Sequence, residues 1–265
     1  MVLLDEAGLG RSTTRILPPG CLTPLVEHFW IHTGPHPRDR WRIVPDSNGY
    51  LIFSACNRPR GVETELFVVG ARSRYVDIDV AGRCLTVAAR LRPGALAMLT
   101  GVRASELTDR SVPLAELAGR SASELLDRMS TATPVGVQGQ MAAFLTRRFS
   151  GAVPDLLGLG RLLTRPLTVA AVAAAIGLGK RSLYERSLDS VGLAPKRALR
   201  IARLHRALWL ADGRRAWSAV ATTAGYADQA HLTRDMHALL GEGPTDLGRR
   251  GCLADSFKTH PAESR

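Results

Sequence analysis

The sequence predicts an α+β protein in two unlike parts. Residues 1–150 read as a small antiparallel β-sheet or barrel with helices, and residues 155–250 as an all-α unit of two helix-turn-helix motifs joined by a linker helix. Three observations predict this. Short apolar runs punctuated by Gly or Pro fill residues 41–91 and then give way to helical patterns. Beyond residue 160 every periodic segment is helical, with breaks at Gly177, Gly192, Gly213, Gly225 and Gly241. The helical part also repeats itself: Leu183 and Leu232, Val191 and Leu240, Gly192 and Gly241, and Pro195 and Pro244 each lie 49 residues apart.

In chain order, "WRIVP" (41–45), "GYLIFSA" (49–55), "ELFVVG" (65–70), "YVDIDV" (75–80) and "CLTVAARL" (84–91) predict strands. The alternation of apolar and acidic residues in "YVDIDV" suits a half-exposed strand. "ASELTDR" (104–110), "SASELLDRMS" (121–130) and "VQGQMAAFLTRRF" (137–149) predict helices. "FSGAVPDLLGLG" (149–160), carrying Ser, Gly and Pro, marks the boundary between the parts. Residues 251–265 read as a flexible tail.

Each copy of the repeat has the same components. A helix of small apolar residues ends at a Gly, which supplies the left-handed conformation that a tight turn needs. "VAAAIG" (172–177) matches "VATTAG" (220–225) at a shift of 48. A second helix follows and stops at another Gly, then a Pro. Between the copies, "PKRALRIARLHRALWLA" (195–211) begins with a Pro suited to a first helical turn. At about 1.5 Å per residue it forms a connector of roughly 25 Å. Arg197, Arg200, Arg203 and Arg206 give it a basic edge, and Trp209 and Trp217 are expected in the core.

The charge balance narrows the partners. With 35 Lys and Arg against 24 Asp and Glu, the formal net charge is +11, which favours a polyanion. The excess is uneven: residues 160–265 carry 17 basic against 9 acidic residues, and residues 1–159 carry 18 against 15. Lys180, Lys196 and Lys258 are the lysines of the sequence, so arginine dominates, and arginine forks onto phosphate or guanine. An Arg- and Ala-rich composition also follows from a GC-rich genome. No apolar run reaches the length of a membrane span, and no membrane partner is expected. The opening "MVLLDEAGLGR" has acids where a secretion signal needs a basic stretch. Cys21, Cys56, Cys84 and Cys252 are scattered without a C-x-x-C pair, which suits a reducing cytoplasm better than a disulfide framework or zinc cluster.

A helix-turn-helix places its second helix in a DNA major groove. In the second copy Gln229, Ala230, Thr233, Arg234 and His237 share one helical face. Arg can bond guanine O6 and N7, Gln can pair with adenine, and Ala or a Thr methyl can touch the thymine methyl. The matching face of the first copy is Lys180, Arg181, Tyr184, Glu185 and Leu188, where Glu can accept from a cytosine amino group. Base-facing roles are thus expected for Arg181, Tyr184, Glu185, Gln229, Ala230, Thr233 and Arg234. Phosphate contacts are expected from Lys180, Lys196, Arg197, Arg200 and His237. An ordinary solvated helix face is the bland alternative.

These residues carry a resemblance. The stretch from Trp217 through "VATTAGYADQAHLTRDMHALLGEGP" (220–244) resembles the second helix-turn-helix of AraC/XylS-type bacterial transcription regulators, and the similarity extends over about 160–250. It implies sequence-specific binding of double-stranded promoter or operator DNA and control of transcription initiation, with RNA polymerase as a partner. Two positions depart from that pattern: Ser187 stands where a large aromatic is usual and Met236 where Phe is usual. Glu185 replaces a common basic residue. "VPDSNGYLIFS", "FVVGARSR" and "LRPGALAMLTGVRASELTDRSVPLAEL" are similar to the sensor domains of some such regulators. This implies an N-terminal half that binds a small-molecule effector, forms a homodimer, or both. Trp30, Trp41, Tyr50 and Phe53 suit an apolar or aromatic ligand, though such residues are commonly core.

No catalytic residues, metal or cofactor are expected. The sequence has no G-x-S-x-G elbow, H-E-x-x-H or strand-linked G-x-G-x-x-G. "IGLGKRS" (176–182) fails as a phosphate loop because Ala174 and Arg181 occupy its first Gly and its Ser/Thr positions. His28, His32 and His36 are spaced by four, but Gly34 and Pro35 interrupt any helix, so interface or surface histidines are expected rather than a metal site. The alternative is a metal- or redox-responsive N-terminal half, using Cys21, Cys56 or Cys84, attached to the same DNA-binding module. A scaffold that binds only protein would have its recognition faces buried.

Overall fold

The structure, a computed structural model, describes residues 13–35, 40–79, 83–149, 156–211 and 215–246. The expected tail, His36 and Cys252 lie outside the described residues, as does the side chain of Trp41.

Eight strands occupy the first part: β1 (Thr13–Ile16), β2 (Val26–Pro35), β3 (Arg40–Ile43), β4 (Gly49–Arg58), β5 (Gly61–Val69), β6 (Val76–Asp79), β7 (Arg83–Leu91) and β8 (Ser111–Pro113). Six form one antiparallel sheet in the order β1-β2-β7-β4-β5-β8, and β3 pairs with β6 apart from it. The helices α1 (Ala95–Thr100), α2 (Ala104–Leu107), α3 (Leu114–Ala118), α4 (Arg120–Ser130) and α5 (Pro134–Arg148) accompany them. One sheet face carries Phe29, Ile31, Leu51, Phe53, Val87 and Ala89 into a core with Leu125, Met129, Val137 and Met141 of α4 and α5. The other face buries Trp30, Tyr50, Ile52, Val69 and Ala88. A central strand buried on both sides needs no alternation, which is why "GYLIFSA" is a continuous apolar run.

The five expected strands are present, while β1, β2 and β8 are additions. Strand β2 carries His28 and His32, both buried, so these are neither surface residues nor helical neighbours. Among the described residues, no three His, Cys, Asp or Glu side chains group as metal ligands. Cys56 and Cys84 are joined in a disulfide, contrary to the expectation of unpaired thiols. They are 28 residues apart in sequence, but the β4–β7 register sets them opposite each other.

A buried ionic cluster closes one end of this sheet. Arg90 Nη2 lies 3.0 Å from Asp46 Oδ2, and Arg90 Nε lies 3.2 Å from Glu27 Oε2. Tyr50 donates to Asp46 at 2.5 Å, and the Asn48 amide donates to the Leu91 carbonyl at 3.0 Å. Burial alone would raise the Asp46 carboxyl, but the Arg90 guanidinium overcomes it and holds Asp46 below the ordinary carboxylate value. His28, beside Arg90 across the β2–β7 pair, is pushed down to about 2 by burial first and by Arg90 second.

Among its described residues the second part has helices as its regular structure: α6 (Leu156–Leu163), α7 (Val169–Ala175), α8 (Lys180–Val191), α9 (Pro195–Leu210), α10 (Trp217–Ala224) and α11 (Gln229–Leu240). Val172, Leu183, Leu199, Leu204, Val220, Leu232, Met236 and Leu239 share one core, into which Val44 and Ala71 of the sheet region also insert. Trp217 packs against this core as expected, but Trp209 is 42% exposed, a correction to its core placement. Ser187 is fully buried where an aromatic would fill more space. Its hydroxyl donates to the Leu193 carbonyl at 2.5 Å, so a hydrogen bond replaces bulk in closing the first motif.

Candidate nucleic-acid interface

Helices α8 and α11 are both twelve residues long, and their two ends are offset by the repeat distance. Each ends at a left-handed glycine, Gly192 at φ 86° and Gly241 at φ 72°. The turns preceding them pass through Gly177 and Gly225, also at positive φ. Two copies of one helix-turn-helix are therefore present, with α7–α8 and α10–α11 packed on the connector α9. At the start of α11 the Asp228 carboxylate accepts from the His231 amide at 2.6 Å, satisfying an end donor that would otherwise be open.

The core side of α11 buries Leu232, Met236, Leu239 and Leu240 completely. Opposite it, Gln229, Ala230, Arg234 and His237 are exposed and Thr233 is half-buried. Thr233 donates to its own helix at Gln229 O over 2.9 Å. On α8, Leu183, Ser187 and Val191 face inward, while Lys180, Arg181, Tyr184 and Glu185 face solvent. Every residue expected to face bases thus lies on an accessible side of the second helix of its motif. A protein-only scaffold with buried recognition faces does not fit this arrangement.

The two faces differ electrically. Arg181 is paired with Glu185 one turn later at 3.0 Å, both exposed, a geometry worth only a few tenths of a kcal/mol in water. Arg234 bonds the Ala230 carbonyl of its own helix at 3.3 Å. Arg186, exposed beside Glu185, is a further cation at the edge of the α8 face that the spacing argument passed over.

Each arginine of the basic edge of α9 has a partner within the protein, with Arg197, Arg200 and Arg203 half-buried and Arg206 exposed. Arg200 bonds Asp235 of α11 at 2.8 Å, and Arg203 lies over the Tyr226 ring at 5.2 Å. Arg206 reaches the Thr223 carbonyl at 3.3 Å. Arg197 donates through both Nε, at 3.0 Å, and Nη2 to the Ser73 carbonyl of the sheet region. Arg200 therefore ties α9 to α11 and Arg197 ties α9 to the sheet region, and both guanidiniums, half-buried, already hold protein partners. Lys180, Lys196 and His237 remain exposed. The reason is local: the buried Asp235 requires a cation, and Arg200 is the one that α9 presents to it.

The sheet region touches both motifs. Thr108 donates to the Gly192 carbonyl at 2.6 Å, and Arg103 lies 3.6 Å from Asp189. Arg42, gripped by Asp77 at 2.7 and 2.9 Å, reaches Glu242 at 2.5 Å and the Leu240 carbonyl at 3.2 Å. His205 of α9 meets the Pro45 carbonyl at 2.7 Å. The contacts between the sheet region and the helical part were not visible in the sequence, because each of them spans 84 residues or more. Of the aromatics expected near a ligand, Trp30, Tyr50 and Phe53 are buried, Phe53 on the sheet face opposite Trp30 and Tyr50. An open groove of about 310 Å³ lies instead between α4 and α5, lined by Leu125, Arg128, Gln140, Ala143 and Arg147.

The class that this geometry defines is a protein with a C-terminal helix-turn-helix domain, and residues 172–250 match a family described as a helix-turn-helix domain. Residues 14–113, from β1 to β8, match a family described as a domain of unknown function. No curated protein matches the chain. Among solved structures it is similar to ToxT from Vibrio cholerae. The apo form of a ToxT variant from strain SCE256 is 11% identical with a TM-score of 0.43, covering 85% of this chain and 98% of that one. ToxT of strain O395 is 8% identical with a TM-score of 0.39, covering 90% and 96%. Unsaturated fatty acid bound wild-type ToxT of strain SCE256 is 8% identical with a TM-score of 0.40, covering 91% and 96%. Among the described residues no helix is long and apolar enough to cross a membrane.

Proposed function

We propose that the protein is a sequence-specific DNA-binding regulator of the AraC/XylS type, acting on transcription initiation with RNA polymerase and without a catalytic step of its own. The observation that carries this reading is the duplicated pair α8 and α11, each buried on one side and offering polar, base-compatible side chains on the other. In this reading Arg181, Tyr184 and Glu185 address one groove segment, and Gln229, Ala230, Thr233 and Arg234 the next. Lys180, Lys196 and His237 contact phosphates. The N-terminal half controls the outcome by binding a small-molecule effector or by pairing two subunits, and its contacts with both motifs support a coupling of that kind. Such coupling requires an effector to bind the DNA-competent and DNA-incompetent states unequally, and it must be reciprocal.

The test is selection from a random duplex library with the full chain, followed by titration of the enriched site against salt. A defined site should emerge, and log affinity should fall linearly with log salt by about 0.9 per phosphate neutralised. Failure to enrich any sequence, with binding indifferent to salt, would refute the reading.

A further inference from the structure

The repeat is gripped twice, at equivalent positions, by the same neighbour. Gly192 and Gly241 occupy the same place in the two motifs, just past the end of α8 and of α11. At Gly192 the sheet region supplies Thr108, whose hydroxyl donates to the glycine carbonyl at 2.6 Å. At Gly241 it supplies Arg42, which donates to the last α11 carbonyl, Leu240 O, at 3.2 Å and pairs with Glu242. A guanidinium there also opposes the negative end of the helix dipole. The approach is close at both points. A Cβ on Gly192 would lie 2.6 Å from Thr108 Oγ1 and 2.8 Å from the Ala104 carbonyl, and one on Gly241 would lie 2.6 Å from the Tyr75 ring.

Arg42 is not a loose strap. Asp77, its partner in the β3–β6 register, holds the guanidinium through two hydrogen bonds, and the Tyr75 ring lies 4.5 Å beneath it. The connector is tied to the same body, through Arg197 to Ser73 and His205 to Pro45. Two helices packed on a third can still twist about it. Once each outer helix is also pinned at its end to a common body, that freedom is removed.

We propose that the N-terminal half is a two-point clamp that sets the separation of the two recognition helices. Arg42 and Thr108 are then positioning residues that determine which spacing between half-sites the protein accepts. This rests on the reading of α8 and α11 as base-reading helices. The consequence is a division of labour: the outward faces choose the bases, while the clamp chooses the number of base pairs between them.

The experiment uses the full chain and a library in which the two selected half-sites are fixed and the spacer length varies. Wild type should concentrate on one spacer. The variant combining Arg42→Ala with Thr108→Val should spread to the flanking spacers, the ratio of flanking to preferred spacer rising about tenfold, equivalent to roughly 1.4 kcal/mol. The milder Glu242→Gln, which preserves volume, should shift the ratio in the same direction. Base preference within each half-site should stay unchanged in both, a result that a merely destabilised protein would not give selectively. A wild-type preference for one spacer that both variants reproduce overturns the clamp alone, because α9 would then set the spacing by itself. A wild type that enriches no sequence overturns the DNA reading and the clamp with it.

Discussion

Four glycines of the repeat offer a comparison in which backbone strain is shared and neighbourhood is not. Gly177, Gly192, Gly225 and Gly241 all have φ between 64° and 90°, so alanine at any of them incurs about 1–2 kcal/mol of left-handed strain. At Gly177 and Gly225 a new Cβ meets no heavy atom within 4 Å, and that strain is the whole expected cost. At Gly192 the methyl would press on Thr108 and on the Ala104 backbone, which cannot swing aside. Overlap of that kind adds roughly 1–3 kcal/mol. Gly241→Ala should fall between, since it meets the Tyr75 ring, which is 36% exposed and can turn outward. Urea unfolding of the four single variants in the full chain measures the order directly through the midpoint at constant slope. Equal destabilisation by Gly177→Ala, Gly225→Ala and Gly192→Ala would refute the claim that the sheet region bears on the ends of the motifs.

The remaining predictions concern the reading face, the buried serine and the histidines. Arg234→Ala and Gln229→Ala should relax base preference at different operator positions by about 1–3 kcal/mol each, whereas Lys196→Ala should weaken all sequences alike and lower the salt slope by about 0.9; binding-site selection and salt titration read both. Ser187→Ala should destabilise by about 1–3 kcal/mol in denaturant titration, because it strips the Leu193 carbonyl of its partner at a fully buried site. His28 is held near 2, against an ordinary value of 6.5, so the unfolded chain takes up its proton first as pH falls. Its contribution is complete above about pH 6.5 and is lost progressively below it, amounting to about 2 kcal/mol by pH 5. His28→Gln should therefore lose about that much less stability than wild type between pH 7 and pH 5, measured by urea midpoints at the two values. His32 and His205, lowered by burial in the same direction, remain in both proteins and cancel in the comparison.

Legibility followed the range of the interaction. The limits of α8 and α11 were readable because a glycine stop and a repeat distance are local and duplicated signals. Their outward faces were readable because period alone separates Leu232 and Met236 from Gln229 and Arg234. The direction of an arginine on a connector is a different matter. Arg200 points inward because Asp235, 35 residues away, is buried beside it, and periodicity does not encode that pairing. Cys56 and Cys84 depend likewise on the β4–β7 register, a pair flanked by β5 and β2. Strand β2 was missed because its histidines, polar by type, are buried in a sheet, where alternation by residue class fails. Ser187 stands where a large aromatic is usual, and only the position of Leu193 O reveals what closes the site.

Val44 and Ala71 sit inside the helical core, and Thr108 and Arg42 seal the ends of its motifs. The helical part therefore bears the imprint of its neighbour and is a poor cassette for recombination. Grafted behind an unrelated sensor, it would carry two glycine hollows shaped for absent side chains and an apolar socket open to water. A transplant that kept these contacts would have to carry the β3–β6 arm and the α2 turn along with the six helices.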